Sequence, residues 1–398
     1  MSEKGSVQLV PKRRFPDFRR AAPWQLISLR DASTPVTERV GQRKLTPVSI
    51  SAGIGFVPQA EKFGRDISGN QYQLYTLVRD GDFVYNKGNS LKFPEGCVYL
   101  LRGWGQVAAP NVFICFRLKD GYSNGFFQNC FEANAHGKKL KRHITSGARS
   151  NGLLNISKDA FFGVEIPTPT WTEQQKIADC LSSLNELIAA QARKVDALKT
   201  HKKGLMQQLF PREGETQPRL RFPEFREPWI VTKLDGLCSS VSSGRDQIDS
   251  DGIFDLYGST SVIGKTKNAS FNGERILVAR VGANAGLLTK AKGSFGVTDN
   301  TLVVSLNPSI NIDFLFHYLG SININKLIFG SGQPLITGGI LKNLPIQVPI
   351  DAEQLRVSAC LSSLDELITA QSRKLEAFKT HKNGLMQQLF PSPAEGAA

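Results

Sequence analysis

A chain of 398 residues with 40% apolar side chains has room for two or three domains with real cores, and no apolar run reaches the ~18 residues of a membrane span. Its 49 Lys and Arg against 35 Asp and Glu leave a net charge of +14, which favours a polyanionic partner; with no membrane feature in view, that is nucleic acid. The leading stretch MSEKGSVQLVPKRR has no apolar core of a secretory signal, and the six cysteines (Cys97, Cys115, Cys130, Cys180, Cys238, Cys360) show no CxxC and no metal spacing with His, so the expectation is reduced thiols in a cytoplasmic protein.

The chain opens on a lead-in motif, Arg14-Phe15-Pro16-Asp17-Phe18-Arg19 followed by Pro23-Trp24. A variable region follows, with short β-type runs at Gln73 to Val78, Phe83 to Tyr85, Cys97 to Leu101 and Val112 to Phe116, broken by Gly, Asn and Asp. Residues 172 to 210, TEQQKIADCLSSLNELIAAQARKVDALKTHKKGLMQQLF, read as one long helix. Pro211 to Leu220 suits an exposed linker. The lead-in motif then recurs as Arg221-Phe222-Pro223-Glu224-Phe225-Arg226 with Pro228-Trp229. A second variable region has β-type runs at Ile276 to Val281, Leu287 to Thr289 and Thr301 to Leu306, and a helical pattern from Ile312 to Gly320. Residues 352 to 390, AEQLRVSACLSSLDELITAQSRKLEAFKTHKNGLMQQLF, repeat the long helix at a constant offset, Cys360 minus Cys180 and His381 minus His201 both being 180. The frame is duplicated; the variable cargo, by sequence, is not.

Both helix copies carry a coiled-coil seam with alternating steps of four and three: Ile177, Leu181, Leu184, Ile188, Gln191, Val195, Leu198, Lys202, Leu205 and Leu209, then Val357, Leu361, Leu364, Ile368, Gln371, Leu375, Phe378, Lys382, Leu385 and Leu389. At ~1.5 Å per residue each helix is about 57 Å long. Thr170 or Thr172 with Glu173 and Gln175, and Asp351 with Gln354, are the start signals; Pro211 and Pro391 are the stops. Antiparallel pairing of the two seams sets Ile177 against Leu389, Leu181 against Leu385, Ile188 against Phe378 and Gln191 against Leu375, with Leu184 facing Lys382 and Leu364 facing Lys202. Gln191 and Gln371 would fix the register at some cost in stability.

Catalytic machinery is hard to find. There is no GxxxxGK[ST] phosphate loop, no GxGxxG after a strand, no Asn/Asp-Pro-Pro-Tyr/Phe stretch of an amino-methyltransferase and no zinc cluster. Asp80 and Asp82, or Asp246, Asp249, Asp251 and Asp255, are read as turn residues rather than metal ligands, and His201 and His381 as helix-end residues. No catalytic and no metal-binding residue is assigned.

The ordered motifs Phe-Pro-Asp/Glu-Phe…Trp, Ile-Pro-x-Pro…Glu-Gln-Gln-Lys-Ile-Ala…Leu-Ser-Ser-Leu-Asn-Glu-Leu-Ile and Lys-Lys-Gly-Leu-Met-Gln-Gln-Leu-Phe-Pro, all duplicated, resemble the specificity (S) subunits of type I restriction-modification systems over essentially the whole chain. Val78 to Ser90 and Ile276 to Asn300 also look like parts of that family's target-recognition domains. The second copy departs where Gln175 and Lys176 become Leu355 and Arg356. The resemblance implies an α+β protein: two globular α/β target-recognition domains joined by two long antiparallel helices forming a coiled coil, with an internal pseudo-twofold repeat. The divisions are a first target-recognition domain (1–169), a first spacer helix (170–211), a second domain with its linker (212–349), a second spacer helix (350–391) and a disordered tail (392–398). It further implies that each domain reads one half of a split, asymmetric double-stranded DNA target through the major groove, that the helices set the spacing against ~34 to 36 Å per duplex turn, and that the chain is a non-catalytic subunit of an adenine-methylating complex. Two modification subunits would carry S-adenosylmethionine, and restriction subunits ATP and Mg; this chain would bind no cofactor.

Lys and Arg are expected on phosphates, and Asn, Gln, Arg, Ser and Thr on base edges. In the first domain the candidates are Asn86, Lys87, Asn89, Ser90, Lys92, Lys138, Lys139, Lys141 and Arg142; Trp24 to Gly163 holds 18 basic against 10 acidic residues. In the second they are Lys265, Lys267, Arg280, Asn284, Lys290, Lys292 and Gln333, where Trp229 to Leu344 holds 10 against 8. The rival reading is a coiled-coil protein-interaction scaffold without sequence-specific DNA binding.

Overall fold

The computed structural model describes residues 9–88, 93–144, 154–322, 324 and 335–391, so the expected tail 392–398 lies outside the described residues. The chain forms two compact units, Met1–Ala190 with Leu375–Ala398, and Gln191–Lys374.

In the first unit, strand Gln25–Ser28 pairs antiparallel with Glu165–Thr168, closing the variable region on itself. Between them lie two four-stranded sheets. One has the order Ser33–Pro35, Ile114–Leu118, Asp82–Asn86, Cys97–Leu100, and the other Gly55–Pro58, Thr46–Ser51, Gln106–Ala109, Thr76–Arg79. The expected strand at Gln73 to Val78 starts later, because Gly69–Leu74 coils into 3-10 turns. Local propensity hints little at helix Asn124–Glu132, rich in Asn and holding a Gly. It forms because Phe126, Phe127, Cys130 and Phe131 share one buried face and Ser123 caps its start by accepting from the Phe126 N–H. Stacked and edge-on rings of Phe83, Phe116, Phe131 and Phe161 make up the core it packs on.

The second unit repeats this plan. Ile230–Lys233 pairs with Pro345–Val348. One sheet runs Cys238–Ser243, Thr301–Leu306, Arg275–Ala279, Leu288–Ala291, and the other Val262–Thr266, Phe254–Tyr257, Ser294–Val297, Phe271–Asn272. Strand for strand the orders match those of the first unit, including the single parallel pair in each (Thr46–Pro47 beside Val107–Ala108; Asp255–Tyr257 beside Phe295–Val297). The expectation that only the frame is duplicated is thus corrected. The two variable regions share a topology that their sequences do not display.

The long helices span Trp171–Leu209 and Asp351–Leu389. Within the first unit, Ile177, Ala178 and Leu181 from the start of one share a core with Met386 and Leu389 from the end of the other. Within the second, Leu209 and Phe210 share a core with Val357 and Leu361. The helices therefore run antiparallel. No seam position is exposed: nine, including Gln191, are buried and the rest are half-buried. The Gln191 side-chain amide donates to the Gln371 backbone and side-chain oxygens at 2.9 and 3.0 Å, a partner the register reasoning did not assign. Lys202, set against Leu364, ends on the neighbouring Asp365 at 2.5 Å, while Lys382 donates to Glu132 at 2.8 Å.

The lead-in motif proves to be a clamp. The Arg14 guanidinium grips the Glu173 carboxylate with two bonds of 2.7 and 2.6 Å, and Trp24 Nε1 donates to the same carboxylate at 3.4 Å. Arg221 grips Glu353 with bonds of 2.8 and 2.7 Å. Both glutamates are 1% exposed at the side chain, in the first turn of a long helix. Next to them Gln174 accepts from the Ser123 N–H and donates to the Pro169 carbonyl, and Gln354 does the same with Asn311 and Pro349. The repeated Glu-Gln pair thus ties each helix start to the variable region beside it and its lead-in motif.

Candidate nucleic-acid interface

The candidates divide by what already holds them. Asn86 ends strand Asp82–Asn86, and both ends of its amide are used within the fold: it donates to the Ile50 carbonyl at 2.8 Å and accepts from the Gly88 N–H at 2.8 Å. It shapes the loop rather than reaching out of it. Lys87 follows, its carbonyl taken by the Leu154 N–H. Asn89, Ser90 and Lys92 lie outside the described residues.

Lys138 and Lys139 close helix Ala135–Leu140, and Lys141 and Arg142 continue in a 3-10 turn. Leu140 and His136 anchor this segment in the core, so the alternate side chains are turned outward; Lys138, Lys141 and Arg142 are exposed and Lys139 half so. None of the four forms an ion pair among the described residues. Four cations on one short turn, with no ion pair among the described residues, are the arrangement that phosphate contact would need.

In the second unit the lysines are engaged. Lys265 meets Asp255 at 2.8 Å, Lys267 meets Asp251 at 3.5 Å, Lys292 meets Glu274 at 2.9 Å, and Lys290 meets Asp313 while standing 5.3 Å over the Phe316 ring. Exposed pairs of this kind are worth little, so a phosphate can take the carboxylate's place at small cost. Arg280 is half-buried and its backbone links the Asn300 carbonyl to the Ile336 N–H. Asn284 is exposed on a tight turn, Gly282–Asn284. Gln333 lies outside the described residues.

The acidic residues weighed in the sequence have structural partners. Asp80 accepts the Trp104 and Gly105 N–H groups, which hold its carboxyl below the usual range; Asp82 binds Arg117; Asp246 accepts from Ser270 and Val297; Asp249 from Lys267. Burial pushes the His136 and His317 imidazoles down to about 4, so neither adds a cation near neutrality.

One element escaped sequence reasoning. Asp80 holds out the loop Arg102-Gly103-Trp104-Gly105, whose glycines take φ of +78° and +70° and whose Arg and Trp are both exposed. Arg102 has no ion pair among the described residues. A basic and an aromatic side chain on a glycine-hinged loop suit contact with a nucleic acid; the signal was the Gly-flanked Trp, too short to stand out.

Residues 226–378 match the family model of the type I restriction modification DNA specificity domain. A stretch of 124 residues is 37% identical to the EcoprrI specificity subunit of Escherichia coli, covering 30% of this chain and 31% of that one. The MjaVIII specificity subunit of Methanocaldococcus jannaschii is 24% identical over 295 residues, 63% of this chain and 67% of that one. The matched stretches are similar to type I specificity subunits, and the chain spans about a third of the length of the EcoprrI subunit. Its fold is that of the S subunit of a type I restriction-modification system from M. genitalium, with a TM-score of 0.63 at 14% identity over 97% of this chain and all of the other. A second structure, described as bearing on complex assembly and conformational transition of the type I R-M system, matches with a TM-score of 0.56 at 15% identity over 92% of this chain and 96% of the other.

Proposed function

We propose that this chain is the DNA-reading subunit of a type I restriction-modification complex. Each reading domain recognises one half of a bipartite double-stranded target. The long helices set the interval between the halves and dock two modification subunits, through which restriction subunits join. The chemistry, with S-adenosylmethionine, ATP and Mg, belongs to those partners, and this chain performs none of it. The observation that carries the reading is the combination of one frame used twice, clamp for clamp and helix for helix, with two heads of equal topology and unlike surfaces. Such a plan suits two different half-sites at a fixed interval, whereas a uniform scaffold has no use for heads that differ. Base-resolution mapping of methylated adenine in cells carrying the complete system tests it. The expected result is a motif of two specified blocks around an unspecified gap of constant length. A single continuous motif, or no change on deleting this chain, would refute it.

A further inference from the structure

A common topology lets the two heads be compared position by position, and one small element recurs in both. In the first head, strand Thr46–Ser51 turns back into Gly55–Pro58; in the second, Phe254–Tyr257 turns back into Val262–Thr266. The two hairpins hold the same place, each joining a strand of the parallel pair to the edge strand of its sheet. Both return through an Ile-Gly step, Ile54-Gly55 and Ile263-Gly264. The isoleucines are 75% and 48% exposed, and neither belongs to the apolar core beside it.

Both tips are braced. In the first head the Gly53 N–H donates to the Tyr99 hydroxyl at 2.6 Å, and Gly55 takes φ of +98° with the Tyr99 ring 3.5 Å from where a Cβ would stand, so the turn is seated on Tyr99 and Ile54 stays outside. In the second the Gly258 N–H donates to the Ser261 carbonyl at 2.9 Å and the Ser259 hydroxyl to the Asn300 carbonyl at 3.3 Å; Ile263 lies along Gly258, where a Cβ would stand 2.9 Å from its γ2 methyl. One exposed isoleucine needs no explanation. The same residue on the same braced turn, in two heads whose sequences do not display their common topology, does.

The neighbours of each tip point to what it meets. Asn86 donates to the Ile50 carbonyl at 2.8 Å, with Lys87 next in the chain; the Arg280 N–H donates at 2.9 Å to the Asn300 carbonyl that also takes Ser259. Asn86 ends, and Arg280 follows, the third strand of the other sheet in its head, so a cationic loop stands beside the tip in each. An aliphatic point next to a cation fits a surface that is apolar at one spot and anionic around it. On a DNA duplex the thymine methyl, in the major groove between phosphate backbones, is that spot.

We propose that Ile54 and Ile263 are specificity-determining residues that each meet a thymine methyl, one in each half of the target. This rests on the proposed function and names the base pair that each hairpin reads. The test uses the full chain purified with the modification subunits of its own system, titrated by fluorescence anisotropy with duplexes carrying the two mapped blocks. Thymines are replaced one at a time by deoxyuridine, which keeps the pairing and lacks only the methyl. One replacement in each block should weaken binding about three- to ten-fold. In Ile54→Ser one block should lose this sensitivity and the other keep it, in Ile263→Ser the reverse, and Ile54→Val should retain both; thermal melting of all three should match the wild type. Indifference to deoxyuridine in either block, or a sensitivity that survives both serine variants, overturns the contact and leaves the bipartite reading intact. A target without two blocks overturns that reading and the contact with it.

Discussion

Glu173 and Glu353 are buried charges, each neutralised by an arginine far away in sequence. Taking two ions out of water is costly, and only bidentate geometry with further hydrogen bonds repays it; removing one partner strands the other. Arg14→Ala should therefore destabilise the first unit by about 3–5 kcal/mol, seen as a lowered urea midpoint, and Arg14→Lys should recover only part of it because an ammonium cannot grip both oxygens. An unchanged midpoint in Arg14→Ala would show that the clamp contributes nothing to folding. Both members of the clamp stand in motifs that the sequence repeats, so each is legible as a word. Their partnership is not legible, since nothing in a one-dimensional pattern joins Arg14 to Glu173.

At the scale of elements, the long helices were readable because a strict alternation of four and three over five heptads has few other meanings. The heads were harder. Strand Cys238–Ser243 is CSSVSS, with no apolar alternation, and takes its conformation from pairing with the largely apolar strand Thr301–Leu306. Candidate contacts were read as residue types, and types do not report partners: Asn86 is used up by backbone bonds, and four lysines of the second head sit on carboxylates. The turn holding Lys138, Lys139, Lys141 and Arg142 is the contrasting case. Replacing all four by Ala should weaken duplex binding and lower the slope of log K against log salt by up to about 3 to 4, since each phosphate no longer neutralised removes roughly 0.9. A slope unchanged from the wild type would remove this turn from the interface.

Over the whole molecule, the duplication runs deeper than its letters. Seams, clamps and helix starts are alike in sequence, while the heads retain only strand order, with loops and surface charge gone separate ways. That division is the one expected if, as proposed, the frame serves both halves alike and the heads meet different DNA. Among the described residues no helix is long and apolar enough to cross a membrane. The most direct test of the account is to replace residues 24–162, the first head without its frame, by the matching segment of another type I specificity subunit, and to map adenine methylation in cells carrying the chimera with its modification subunits. One block of the target should change, with the other block and the gap retained; a chimera that alters both blocks, or the gap, would contradict it.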